Sequence, residues 1–135
     1  MIQVVQLQGR DQYLYQLLAP LVMDPQVIRA NNNYPFKTSE FFVWYIAMEE
    51  KEVLGFIPIE LKTGKKAVLN NYYINGEKER REEIFSQLLP AIIEAFIAQE
   101  WRLHSITLIQ DKEIFEKYQF SVSDQKWTRY VKMNR

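Results

Sequence analysis

Lys78, Arg80 and Arg81 stand within one turn of one another, just after the turn residues Asn75-Gly76. They open an apolar stripe with helical spacing, Phe85, Leu88, Leu89, Ile92 and Phe96. Cations at the first turn of a helix suit an anion, and a phosphate above all. The first turn offers unpaired N–H groups and the positive end of the helix dipole, and a guanidinium can grip two phosphate oxygens at once. Any close approach of backbone to such a phosphate rests on Gly76, because the remaining glycines stand at 9, 55 and 64. Glu77, Glu79, Glu82 and Glu83 interleave with the cations, so a solvated, self-neutralising helix end is the competing reading of the same residues. A carboxylate at 82 or 83 can also take the amides that a phosphate would use.

Other reactive residue types carry less. His104 has no carboxylate or second histidine at ligand spacing, so no metal site is expected. There are no cysteines, which excludes thiolate catalysis and cysteine-bound zinc, and no serine sits in a glycine-flanked elbow. The run Phe41-Phe42-Val43-Trp44-Tyr45 could stack bases on an open sheet, but seventeen basic residues balance seventeen acidic ones. That balance gives no net field towards nucleic acid or an anionic membrane, and the aromatic run reads as core sheet. With 47% hydrophobic residues, 135 residues suffice for one domain over 1–135. No signal peptide or spanning segment is visible, so a soluble cytoplasmic protein is expected.

The elements that must position these residues follow from periodicity and punctuation. Ile2 to Leu7 reads as a strand, and Asp11 caps a helix that Pro20 ends. Asp24-Pro25 starts a second helix. Phe41 to Met48, Val53 to Leu61 and Ala67 to Ile74 read as three antiparallel strands, with Pro58 marking a bulge or an outward-facing position. A helix of about Lys78 to Gln99 and a strand Arg102 to Gln110 then imply a right-handed parallel crossover back beside Ala67 to Ile74. Asp111 caps a short helix through Tyr118, and Phe120 to Val122 with Trp127 to Met133 closes the chain as a hairpin. The fold class is therefore α/β (α+β): a mixed central sheet, mostly antiparallel with one parallel pair, flanked by helices.

This order resembles the GNAT superfamily of acyl-CoA-dependent N-acyltransferases over essentially the whole chain. Arg80-Arg81-Glu82-Glu83-Ile84-Phe85 falls in register with that family's R/Q-x-x-G-x-G/A motif. Ile114-Phe115-Glu116-Lys117-Tyr118-Gln119-Phe120 is similar to its L-Y-E-K-L-G-F. The resemblance implies acetyl-CoA or another acyl-CoA as cosubstrate, lying in the splay between Ala67 to Ile74 and Arg102 to Gln110. It would be held near Tyr72, Tyr73, Ile74 and Gly76 and by Lys78, Arg80 and Arg81. The implied acceptor is a small-molecule or peptide amine, with no nucleic acid or membrane partner and a homodimer left open.

Three positions depart from the family pattern. Glu83 and Phe85 replace the small residues of the phosphate cradle, and Phe115 replaces the tyrosine that protonates the leaving thiolate, which leaves Tyr118 as the candidate acid. Where many members have a glutamate base, the third strand has Asn70 and Asn71, and Glu60 is the nearest carboxylate by sequence. The alternative expectation is a catalytically inactive GNAT-fold binding or regulatory module.

Overall fold

A computed structural model describes residues 1–31, 35–125 and 127–135. β1 (Gln3–Gln8) is followed by α1 (Gln12–Val22) and α2 (Pro25–Ala30), each started by an aspartate whose side chain takes an amide two residues on, Tyr13 N for Asp11 and Gln26 N for Asp24. β2 (Phe42–Glu49), β3 (Glu52–Lys62) and β4 (Lys66–Leu69) form the meander, and β5 (Tyr73–Ile74) returns to β3. α3 (Lys78–Ala98) leads to β6 (Arg102–Leu108), a 3-10 turn at Ile109–Asp111, α4 (Lys112–Lys117), β7 (Ser121–Asp124) and β8 (Tyr130–Asn134). The sheet order is β1-β2-β3-β4-β6-β8-β7, antiparallel throughout except for β4 beside β6. The expected mixed sheet with one parallel pair is the one observed.

Alternation in β2 shows how both faces become core. Val43, Tyr45 and Ala47 pack with Ile84, Phe85, Leu88, Leu89 and Ile92 of α3, while Phe42, Trp44 and Ile46 pack with Leu14 and Leu18 of α1. The aromatic run is thus core from Phe42 onward, with only Phe41 substantially exposed. Among the described residues no helix is long and apolar enough to cross a membrane.

The expectation at Pro20 is corrected, and of the two alternatives at Pro58 the bulge is the one not seen. α1 runs through Pro20 to Val22, because Pro20 and Gln16, whose carbonyl loses its helical donor, are both exposed and water can serve that carbonyl. The irregularity in β2 and β3 lies between Ala47 and Met48, not at Pro58. Pro58 instead presents its carbonyl to Asn70 N at 3.4 Å, so its donor-less edge faces the place where the third strand breaks.

That break is a further correction, since Ala67 to Ile74 is two strands and not one. Asn71 has φ 57°, a left-handed conformation that asparagine tolerates, and the Asn70 side chain accepts the Asn71 amide at 2.8 Å. The final hairpin is also wider than expected, with β8 starting at Tyr130.

Gly55 lets β5 close on β3. A Cβ added there would lie 2.7 Å from the Tyr73 carbonyl oxygen and 3.0 Å from Ile74 Cδ1. Gly55→Ala should therefore lower stability by about 1–3 kcal/mol, as overpacking does, read as a reduced urea midpoint at unchanged m-value.

Candidate functional site

β4 and β6 run in register only from Lys66 opposite Arg102 to Leu69 opposite Ser105. Beyond that point β5 turns to β3 while β6 continues along β8, with Leu108 opposite Tyr130. The two strands come apart as a wedge, and a cleft of about 220 Å³ opens between them. Asn31, Asn70, Asn71, Tyr72, Ile106, Leu108 and Tyr130 line it. Asn31 Nδ2 reaches Asn71 Oδ1 at 3.4 Å, which ties the end of α2 to the break in the sheet.

Past the point where they part, the two strands are bridged again by side chains. The Tyr72 hydroxyl accepts from Leu108 N at 2.9 Å and donates to Asp111 Oδ2 at 2.6 Å. Asp111 is 1% exposed and receives the Arg81 guanidinium through both oxygens, Nε to Oδ1 at 2.9 Å and Nη2 to Oδ2 at 2.6 Å. Arg81 Nη1 donates to the Ile74 carbonyl at 2.6 Å. Strand β5, helix α3 and the start of α4 are thereby fastened at one point, over a floor of Phe85, Phe115 and Phe120. Burial alone would lower the Arg81 pKa, but the Asp111 carboxylate outweighs it and the net shift is upward.

Arg81 is therefore turned inward, although the sequence places it with Lys78 and Arg80 as a phosphate ligand. Its guanidinium is committed to Asp111 and Ile74. Asp111, expected as a helix cap, makes no capping hydrogen bond and is the buried counter-ion instead. The signal was available: Arg81 continues the 85, 88, 92 stripe back by one turn, on the core face.

The rest of the helix start keeps anion-binding features. Glu77 makes no side-chain cap, so the first amides of α3 have no side-chain acceptor at the N-cap. Glu82 and Glu83 do not cap either, since Glu82 faces Lys117 at 3.9 Å and Glu83 pairs with Arg80. Arg80 also meets Glu49 at 3.3 Å, and its Cβ and Cγ lie over Gly76, whose φ is 100°. Lys78 is exposed. Tyr73 is half-buried, its hydroxyl 3.5 Å from Asn75 Oδ1, and Ile74 is buried with its carbonyl already taken.

Phe85 is fully buried, as its place in the stripe implies. Tyr118 caps the end of α4 and packs against the core, outside the residues lining the cleft. Glu60 is likewise outside that lining and faces Lys62 at 4.0 Å. Among the described residues no cluster of histidine and carboxylates could hold a metal ion.

The sequence matches no protein-family model and no curated protein. Its structure is similar to that of an acyl-CoA N-acyltransferase from Pseudomonas aeruginosa, with a TM-score of 0.71 at 11% identity, covering 100% of this chain and 99% of the other. ElaA of Escherichia coli gives 0.71 at 15% identity over 100% and 99%. The ribosomal-protein-S18-alanine N-acetyltransferase of Escherichia coli gives 0.69 at 13% identity over 99% and 92%.

Removing one partner of a buried pair strands the other charge, so Arg81→Met should cost about 3–5 kcal/mol. Arg81→Met combined with Asp111→Leu should recover most of that loss, and chemical denaturation of the three variants checks both statements. Burial, reinforced by Asp111, holds the Tyr72 phenol well above its ordinary pKa of 10.0. Its contribution to stability is complete below pH 10 and is lost as pH rises towards the folded value, because only the unfolded phenol ionises there. Stability measured above pH 10 should fall less steeply in Tyr72→Phe.

Proposed function

Taking as premise a chain with the fold of the GNAT acyltransferases, we propose that it transfers an acyl group from acyl-CoA to an amine in the cleft between β4 and β6. The observation that carries this reading is the parting of the parallel strand pair β4 and β6 after Leu69 and Ser105, with an accessible cleft in the gap. A thioester there meets strand backbone on two sides, and an amine can enter past Asn31 and Tyr130. The amine nitrogen attacks the thioester carbon, a C–N bond forms, the C–S bond breaks, and one proton passes from nitrogen to the departing sulfur. Phe115 has no proton to give, and the Tyr72 proton is held by Asp111 at 2.6 Å. Rate therefore comes chiefly from holding amine and thioester together in a largely apolar cleft.

The residues present fit the phosphate end of the cosubstrate. The uncapped start of α3, Gly76 and the exposed Lys78 stand together, and Arg80 joins them only by leaving Glu49 and Glu83. The route from there to the cleft crosses Arg81, Asp111 and Tyr72, so affinity carries the cost of parting that clamp. The same clamp is the observation that favours the second reading, a GNAT-fold module that binds a partner without transferring acyl groups. We place the protein in the cytoplasm, where acyl-CoA is made and used.

Thermal melting with acetyl-CoA separates the two. A ligand at 100 times its Kd stabilises the native state by about 2.7 kcal/mol, which for a chain of this size raises Tm by roughly 8 °C. Lys78→Ala with Arg80→Ala should reduce that rise, since each charged hydrogen bond contributes about 1.5–3 kcal/mol. No change in Tm at millimolar acetyl-CoA, with no product by mass spectrometry, would leave the binding-module reading in place.

A further inference from the structure

The lining of the cleft is amide, phenol and aliphatic. Asn31, Asn70, Asn71, Tyr72, Ile106, Leu108 and Tyr130 carry no charge at neutral pH, and residues 32–34, which follow Asn31, are Asn, Asn and Tyr in sequence. Each carboxylate near the chemistry is committed elsewhere. Asp111 lies behind Tyr72 with both oxygens on Arg81, Asp24 caps α2, and Glu60 faces Lys62. The cavity that shares Ile106 with the cleft is lined by Lys66 and Lys132, together with Lys62, which faces Glu60, and with His104. Asp124 stands opposite Lys132 on β7 and offsets part of that charge. His104 is held below its ordinary pKa of 6.5, first by burial and then by Lys66.

Among the described residues, an ammonium ion entering this cleft finds no carboxylate in the lining to pair with, and Lys66 and Lys132 beyond Ile106 oppose it. Among the described residues, none of the lining is a base that could take its proton. We infer that the acceptor is an amine already unprotonated near neutral pH, a peptide α-amino group or an aromatic amine, and not a lysine side chain or polyamine. This rests on the acyl-transfer reading above and specifies its substrate class. At pH 7.5 roughly a third of an α-amine of pKa about 7.8 is free base, against roughly 0.1% of a lysine amine of pKa about 10.4. The neutral amine supplies its own lone pair, and its proton leaves with the thiolate, so no enzyme base is required.

The experiment compares kcat/KM with acetyl-CoA for an alanyl-glycine amide, p-anisidine, Nα-acetyl-lysine amide and putrescine between pH 6 and 9, with product mass as readout. Expected is a preference of at least about 30-fold at pH 7.5 for the first two over the last two, the relative strength of the first two telling peptide from aryl acceptor. Each rate should rise with the free-base fraction of its own amine. The variant Asn70→Asp keeps the acceptor for the Asn71 amide and adds a carboxylate, so it should narrow the preference towards lysine. Lysine amide used within threefold of the α-amine at pH 7.5 overturns the inference, as does one rising limb shared by all four amines. Turnover of none of the four overturns it too. The Tm response to acetyl-CoA then shows whether acyl-CoA recognition falls with it.

Discussion

The buried ion pair of Arg81 with Asp111 is the constraint on which the rest of the arrangement depends. Taking a guanidinium and a carboxylate out of water is unfavourable unless nearly every donor and acceptor finds a partner. Here Asp111 takes two bonds from Arg81 and one from Tyr72, and Arg81 spends a further donor on the Ile74 carbonyl. Four residues from three different segments must be in place at once. A geometry so fully satisfied tolerates little displacement, so it fixes how far β5 and β6 part and where α4 begins.

Around that point the chain uses local irregularity to make a site from an otherwise regular sheet. The left-handed Asn71 ends β4, and Pro58 opposite the break leaves no N–H without a partner there. Gly55 then allows β5 to lie against β3 instead of following β4. The cleft exists because the third strand changes neighbours, and each of these residues is of the type that the change requires.

Much of this was legible in the sequence. Element order, the parallel crossover and the core stripe of α3 follow from periodicity, because burial of one face imposes that period wherever a helix covers a sheet. Pro58 was recognisable as unable to join a ladder, though its role opposite a break depends on a partner strand that local pattern does not identify. Arg81 was misjudged because a cation beside other cations reads as surface, while the residue that decides its direction, Asp111, lies thirty positions away. Pairing at that separation leaves no periodic trace. The spacing of 81 with 85 and 88 was the one local hint that this arginine faces inward.

The parallel ladder between β4 and β6 is only four residues long, yet among the described residues it is the sole strand pairing between the half of the sheet made by β1 to β5 and the half made by β6 to β8. Mechanically, the sheet is two stiff plates with a narrow seam, bolted again at the clamp and spanned by α3. Fluctuations that open such a protein below global unfolding concentrate at the weakest joint. The seam between Leu69 and Ser105 is where the plates can flex against each other, and it forms the closed corner of the wedge. Flexing at that seam can change the width of the cleft only as far as the clamp across its other side gives with it.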